Sequence, residues 1–229
     1  MKNCIEQRMK TTPLRIVVLA SGRGSNFQAL ADFVSQNPKQ LEIVGLVTDK
    51  SKAKALKIAE EMGIPSELIK PKKSERSNQE FFQEIASAVE KLQPDLIVLA
   101  GFMRIISSSF IKQFQNKIIN IHPSLLPSFK GLDAQKQALE AGVHFAGCTV
   151  HTVVEEVDAG SILGQAVVPV LPSDTVESLS DRILKEEHIL LPKVVESILN
   201  KEIKIDSQGK VSFGNCRLTE SKSTLSSVN

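Results

Sequence analysis

Leu14-Arg15-Ile16-Val17-Val18-Leu19-Ala20-Ser21-Gly22-Arg23-Gly24-Ser25-Asn26 is the stretch that decides the fold class. A continuous apolar run stops at a small, glycine-rich turn, and a helix-like pattern begins at Asn26, so the segment reads as strand, tight loop and helix. An α/β domain of the nucleotide-binding type opens in this way.

The same alternation continues downstream. Leu41 to Thr48 reads as a second strand, Lys52 to Met62 as a helix closed by Gly63, and Pro65 to Ile69 as a short third strand. Gln79 to Leu92 is an amphipathic helix ended by Pro94, Asp95 to Ala100 a strand buried on both faces, and Lys117 to Ile121 the next strand. Parallel neighbours need crossovers of about a dozen residues or more, so strands alternating with helices predict a mostly parallel open sheet with helices on both faces. The rhythm changes at Gly147 to Val154 and Ile162 to Val170, which are separated only by Glu155 to Ser161. That connection is too short for a crossover helix, so an antiparallel pair is expected toward the C-terminal half. Asp174 to Leu199 is a long helix with Asp174 and Glu177 as a capping-box-like start, Val176, Leu179, Ile183 and Leu190 at core spacing, and a kink at Pro192. The fold class is therefore Rossmann-like α/β. A single domain over 13–217 is expected, preceded by an N-terminal extension, 1–12, and followed by a Ser-, Thr- and Lys-rich tail, 218–229, with too little to bury to be ordered.

Composition narrows the class of function. Of 229 residues, 41% are hydrophobic and 24% charged, the balance of a soluble globular protein. A net charge of +2 with no Trp and no Tyr gives neither the basic stripe nor the stacking platform of a nucleic-acid binder, so small-molecule substrates are expected. Cys4, Cys148 and Cys216 are odd in number and widely spaced, which implies a reducing, cytoplasmic setting and no disulfide framework. No apolar run of about 18 residues occurs, which argues against secretion and membrane insertion. Met9 is an alternative start to Met1.

Three segments have the chemistry of a site. Ser21 to Asn26 is a ready phosphate cradle, because glycines admit backbone N–H groups to an anion and the helix N-terminus adds partial positive charge. It lacks the Lys-Ser/Thr ending of a P-loop and the third glycine of a dinucleotide fingerprint, which disfavours ATP and NAD. Its other reading is a tight turn capped by Ser or Asn. Asn120-Ile121-His122-Pro123-Ser124-Leu125-Leu126-Pro127 follows a buried strand, where open α/β sheets bind ligands, so the amide and imidazole are expected to face a crevice. Glu155-Glu156-Val157-Asp158-Ala159-Gly160 is either a solvated loop or, if Asp158 turns toward His122, half of an acid–base couple. His151 reads as a core-edge side chain, with a supporting or metal-ligating role as the other options. No His, Cys or carboxylate set has metal-ligand spacing, so no metal is expected.

Four blocks resemble the phosphoribosylglycinamide formyltransferase family: Ser21 to Asn26, Leu99 to Ile105, Asn120 to Pro127, and Gly147-Cys148-Thr149-Val150-His151 through Val157-Asp158-Ala159-Gly160. The resemblance covers Leu14 to Leu199. It implies that Asn120, His122 and Asp158 are catalytic and that Arg23, Gly24, Ser25 and Asn26 bind a substrate phosphate. It further implies that Met103, Arg104, Ile105 and Ile106, with Asn120 and Asp158, hold the folate largely through backbone hydrogen bonds, and that Glu187 contacts the glycinamide end of the substrate. Glu187 read alone is an exposed helix charge. The implied reaction is transfer of the formyl group of 10-formyltetrahydrofolate to the amine of phosphoribosylglycinamide in purine biosynthesis, by a monomer or homodimer. One departure is Thr152, where the family usually carries a bulky or aromatic residue after the signature histidine. The rival readings are formyltetrahydrofolate deformylase, disfavoured by the about a dozen residues before the first strand, methionyl-tRNA formyltransferase, disfavoured by the short polar tail, and a non-catalytic folate- or phosphate-binding module.

Overall fold

A computed structural model describes residues 12–71 and 78–214. The expectations for the N-terminal extension and the C-terminal tail fall on 1–11 and 215–229, outside the described residues, as do Cys4 and Cys216. The chain divides into two compact units between Arg104 and Ile105.

The first unit contains β1 (Leu14–Leu19), α1 (Ser25–Gln36), β2 (Leu41–Thr48), α2 (Lys54–Glu61), β3 (Ser66–Leu68), α3 (Asn78–Lys91) and β4 (Leu96–Leu99). β1 lies between β2 and β4, β3 adds to the far side of β2, and all three pairings are parallel. Every side chain from Ile16 to Ala20 is fully buried, because a central parallel strand is covered on both faces. Right-handed crossovers put α1 and α2 on one face of these strands and α3, which carries the chain back past β2 and β1, on the other. α1 buries Phe27, Leu30, Ala31 and Val34, and α3 buries Phe81, Phe82, Ile85, Ala86 and Val89, each a stripe at helical spacing.

The second unit contains α4 (Ser108–Gln113), β5 (Ile118–His122), α5 (Ala134–Glu140), β6 (Phe145–Thr152), β7 (Ile162–Pro169), α6 (Val176–Leu199), β8 (Ile203–Ile205) and β9 (Val211–Phe213). β6 pairs antiparallel with β7, as its short connection requires, and also with β5, so the antiparallel portion begins one strand earlier than the expected pair. The strand order is β3-β2-β1-β4 in the first unit and β5-β6-β7 in the second, and the fold is of mostly parallel, mixed, Rossmann-like α/β type.

α6 begins differently from its expected start. Thr175 is the N-cap and forms a reciprocal capping box with Ser178. Asp174 instead accepts from the Leu171 N–H and grips Arg182 through two hydrogen bonds of 2.6 and 2.8 Å. The Arg182 guanidinium accordingly holds the Asp174 carboxyl well below the usual range. A carboxylate with a bidentate arginine partner is better satisfied there than as a cap, which leaves the hydroxyl of Thr175 to close the helix. Pro192 lies buried inside α6. The short helices α4 and α5 and the β8-β9 hairpin were not anticipated, since elements of three to seven residues carry too few periods to stand out.

Candidate active site

The centre of the site is built by strand alternation. Along β5, Asn120 and His122 point to one face while Ile119 and Ile121 point to the other. The β5–β6 register sets Asn120 directly opposite His151 and His122 directly opposite Thr149. Residues facing each other across an antiparallel pair share a face, so all four polar side chains converge.

The hydrogen bonds set the state of each ring. His151 Nδ1 lies 2.8 Å from the Thr152 carbonyl oxygen, which can only accept, so Nδ1 carries the proton. His151 Nε2 then offers its lone pair to the Asn120 Nδ2–H at 3.1 Å. Burial pushes the His151 imidazole below its ordinary value of 6.5, the nearby charge of Asp158 opposing this and that of His122 adding to it, which suits a neutral ring. His122 is placed differently, with Nε2–H donating to the Phe129 carbonyl at 2.9 Å and Nδ1 3.4 Å from Asp158 Oδ2. Both of its nitrogens face acceptors, a setting in which the imidazolium makes two attractive contacts.

Asp158 reaches this cluster from the β6–β7 connection. Its side chain is only 10% exposed, with Oδ2 accepting from the Gly131 N–H at 2.8 Å and Oδ1 3.6 Å from His151 Nε2. The residue adopts φ +52°, a left-handed conformation that Asp tolerates better than most residues. Gly160 makes the turn possible, because a Cβ there would run into the Thr152 carbonyl oxygen. Thr152, the departure from the family pattern, has a job in this hairpin: its Oγ1 accepts from the Ser161 N–H at 2.9 Å. The other two carboxylates of the segment are solvated surface charges, Glu155 pairing with Lys112 at 3.3 Å and Glu156 with Lys130 at 2.9 Å.

The loop after His122 is anchored from below. Thr149 Oγ1 donates to the Ser124 carbonyl at 2.6 Å and accepts from the Leu126 N–H at 3.1 Å and from Gln165 Nε2 at 3.0 Å. The Ser124 hydroxyl closes the loop on the Ser128 carbonyl at 2.6 Å, and the Leu126–Pro127 peptide is cis. Glu187 is buried on α6 at 6% exposure, so it is not the exposed helix charge that an isolated reading suggests. Its charge, with that of Glu186, adds to burial in pushing the Cys148 thiol far up, which leaves that thiol protonated and unreactive. Ile106 is buried, whereas Ile105 is exposed.

The first unit carries the remaining candidates. Gly24 caps α1 at φ +75°, and its bare α-carbon packs against Ala55, where a Cβ would come within 2.9 Å. No acidic residue occupies the first turn of α1 and no side chain caps it, so the partial positive charge of the helix end is not offset by a carboxylate. Asn26 is buried and Arg23 exposed. At the end of β4, the Met103 N–H donates to Ser21 Oγ at 3.0 Å, which ties that segment to the end of β1. Arg104 is fixed by a 2.8 Å bond from Nε to Asp49 Oδ2 and by stacking 4.9 Å over the Phe81 ring. Sequence patterns do not point to Asp49, place Ser21 only within the phosphate cradle and Thr149 only within the signature block, and make His151 a core-edge side chain, whereas it is 2% exposed and bonded to Asn120. Among the described residues, no group of three or more His, Cys, Asp and Glu side chains is arranged to hold a metal ion, and no helix is long and apolar enough to cross a membrane.

Comparisons with known proteins agree with one another. The family model described as formyl transferase matches residues 14–195. The chain is 43% identical over 207 residues to the trifunctional purine biosynthetic protein adenosine-3 of Gallus gallus, covering 90% of this chain and 20% of that protein. It thus spans about a fifth of the length of such multifunctional relatives. It is 41% identical to the phosphoribosylglycinamide formyltransferase of Bacillus subtilis, covering 81% of this chain and 94% of that one. The crystal structure of phosphoribosylglycinamide formyltransferase from Anaplasma phagocytophilum superposes with a TM-score of 0.81 at 45% identity, covering 90% of this chain and 97% of that one.

Proposed function

The chain belongs to the formyl transferase family, and on that premise we propose that it moves the formyl group of 10-formyltetrahydrofolate onto the amine of phosphoribosylglycinamide, a step of purine biosynthesis. The bacterial relative of matching length has that name, which supports the choice of acceptor. The observation that carries the chemistry is the partly buried chain of contacts Asn120–His151–Asp158–His122, with steps of 3.1, 3.6 and 3.4 Å.

An α-amino group titrates near about 8, so a useful fraction of the acceptor is already neutral at physiological pH and attacks the formyl carbon directly. The harder task is to stabilise the negative oxygen of the tetrahedral intermediate. Asn120 does this as an amide donor and protonated His122 through its positive charge, its two N–H groups being directed at the Phe129 carbonyl and Asp158, and losing one such stabilising group typically costs ~3–4 kcal/mol of barrier. Asp158 keeps His122 charged and, through a water, helps carry the proton from the attacking amine to the departing folate nitrogen. Arg23, Gly24, Ser25 and Asn26 hold the substrate phosphate at the start of α1, and Glu187 contacts the glycinamide end. Met103, Arg104, Ile105 and Ile106, with Asn120 and Asp158, hold the folate. The exposed apolar side chains of Met103 and Ile105, at 66% and 70%, are consistent with a surface that an aromatic ligand covers.

One assay decides between the readings: the protein is mixed with 10-formyltetrahydrofolate, with and without phosphoribosylglycinamide, and deformylation is followed by absorbance. Loss of the formyl group only when the amine is present is expected. Equal loss without it makes the protein a deformylase, and no loss in either mixture makes it a binding module.

A further inference from the structure

We infer that His151 is a positioning residue for Asn120: its neutral ring, protonated at Nδ1, takes one Asn120 amide hydrogen at Nε2 and so fixes which end of that amide faces the reacting oxygen. The inference rests on the proposed role of Asn120 as an oxyanion donor.

An asparagine amide has an oxygen and a nitrogen of nearly equal size, so packing alone cannot distinguish its two orientations. A hydrogen-bond partner with a fixed sense can. At 2% exposure His151 is shielded from bulk solvent, and its two nitrogens meet groups of opposite character. The Thr152 carbonyl at 2.8 Å demands a proton on Nδ1, which leaves only a lone pair on Nε2 for the amide 3.1 Å away. The flipped amide would set its Oδ1 against that lone pair and would move its free N–H to the other end. The correct orientation is thus traced to a backbone carbonyl, and the cross-strand register that places residue 120 opposite 151 makes the contact unavoidable.

The charged groups around the ring support the same state. Asp158 Oδ1 at 3.6 Å favours a proton on Nε2, whereas the charge of His122 opposes one. His122 has its own contact to Asp158 at 3.4 Å and both of its nitrogens directed at acceptors, so that carboxylate has a donor partner other than His151. The two imidazoles differ in role: His122 directs both nitrogens at acceptors, and His151 is the acceptor that aligns the Asn120 donor.

The primary test is independent of turnover. Imidazole nitrogens of the uniformly ¹⁵N-labelled full chain are observed by long-range proton–nitrogen NMR at pH 7, and His151 is assigned by the signal lost in His151→Gln, there being four histidines in all. A proton-bearing Nδ1 with an unprotonated Nε2 is expected; the opposite tautomer, or a doubly protonated ring, overturns the inference. The second test is kinetic. His151→Leu should lower kcat on the order of 10²-fold with KM for both substrates within about threefold, the effect of losing one aligned donor. His151→Gln, whose side-chain oxygen can accept from Asn120, should recover most of that loss. Leu and Gln variants impaired alike, or a Leu variant with undiminished kcat, would reduce His151 to a packing residue. A wild-type protein that transfers no formyl group refutes the proposed function instead, while the NMR result still decides the state of the ring.

Discussion

Replacing Asp158 by Asn removes a charge while keeping the shape, and the structure sets the size of the effect. Oδ2 of Asp158 stands 3.4 Å from His122 Nδ1, and the two side chains are 10% and 7% exposed, so little solvent screens them. At an effective dielectric of about 20, unit charges at that separation attract by about 5 kcal/mol. Desolvation of the pair offsets much of this in the resting protein, whereas losing one stabilising group at a developing oxyanion typically costs ~3–4 kcal/mol of barrier. If His122 must be charged where negative oxygen develops, that loss appears in the barrier as a fall in kcat of about 10³-fold. An Asn oxygen can still accept from the Gly131 N–H, which the Asp carboxylate does at 2.8 Å, so the hairpin should survive and Tm should move by no more than about 4 °C. KM for both substrates should stay within about threefold, because the contact matters in the transition state more than in the ground state. Steady-state kinetics with 10-formyltetrahydrofolate and phosphoribosylglycinamide, alongside a thermal melt, measure all three quantities. A kcat within tenfold of wild type, or kcat and KM impaired in equal measure at unchanged Tm, refutes the reasoning.

Three further outcomes are expected. Ser25→Ala should raise KM for the phosphorylated substrate about tenfold, the value of a hydrogen bond to a charged group, with kcat and KM for the folate unchanged; unaltered affinity would dismiss the phosphate role of the α1 start. Thr149→Val leaves the Ser124 carbonyl and the Leu126 N–H without their shared partner and should cost about 1–3 kcal/mol in urea denaturation; an unchanged midpoint would show that the loop is anchored elsewhere. Burial depresses the imidazoles of His151 and His188 below their ordinary 6.5, so the unfolded chain binds more protons just below that pH. Stability is then full above pH 6.5 and declines as pH falls from there toward the depressed folded values. His188→Gln should make the loss of Tm below pH 6.5 shallower, and an identical slope would remove His188 from the account.

The β-strand and helix rhythm of the first hundred residues is written in local patterns, because apolar runs, glycine stops and helical periods act over a few residues at a time. Leu41–Thr48 matches its expected bounds, and β1 ends one residue before its expected limit for the same reason. The short connection 155–161 likewise dictated an antiparallel pair, since no crossover fits within it. The types of group a site needs were also visible as Asn120, His122 and Asp158. Their arrangement was not. Which of three neighbouring carboxylates turns inward depends on a left-handed residue, a glycine pressed against the Thr152 carbonyl and an N–H supplied by Gly131, 27 positions away. That Thr175 rather than Asp174 caps α6 depends on Arg182 claiming the carboxylate. His151 becomes the partner of Asn120 only once β6 pairs with β5 in one register, and a slip by a single residue would turn it to the opposite face. Local periodicity chooses the elements, but hydrogen-bond sense and charge pairing are properties of groups brought together by folding, and only the tertiary structure decides them.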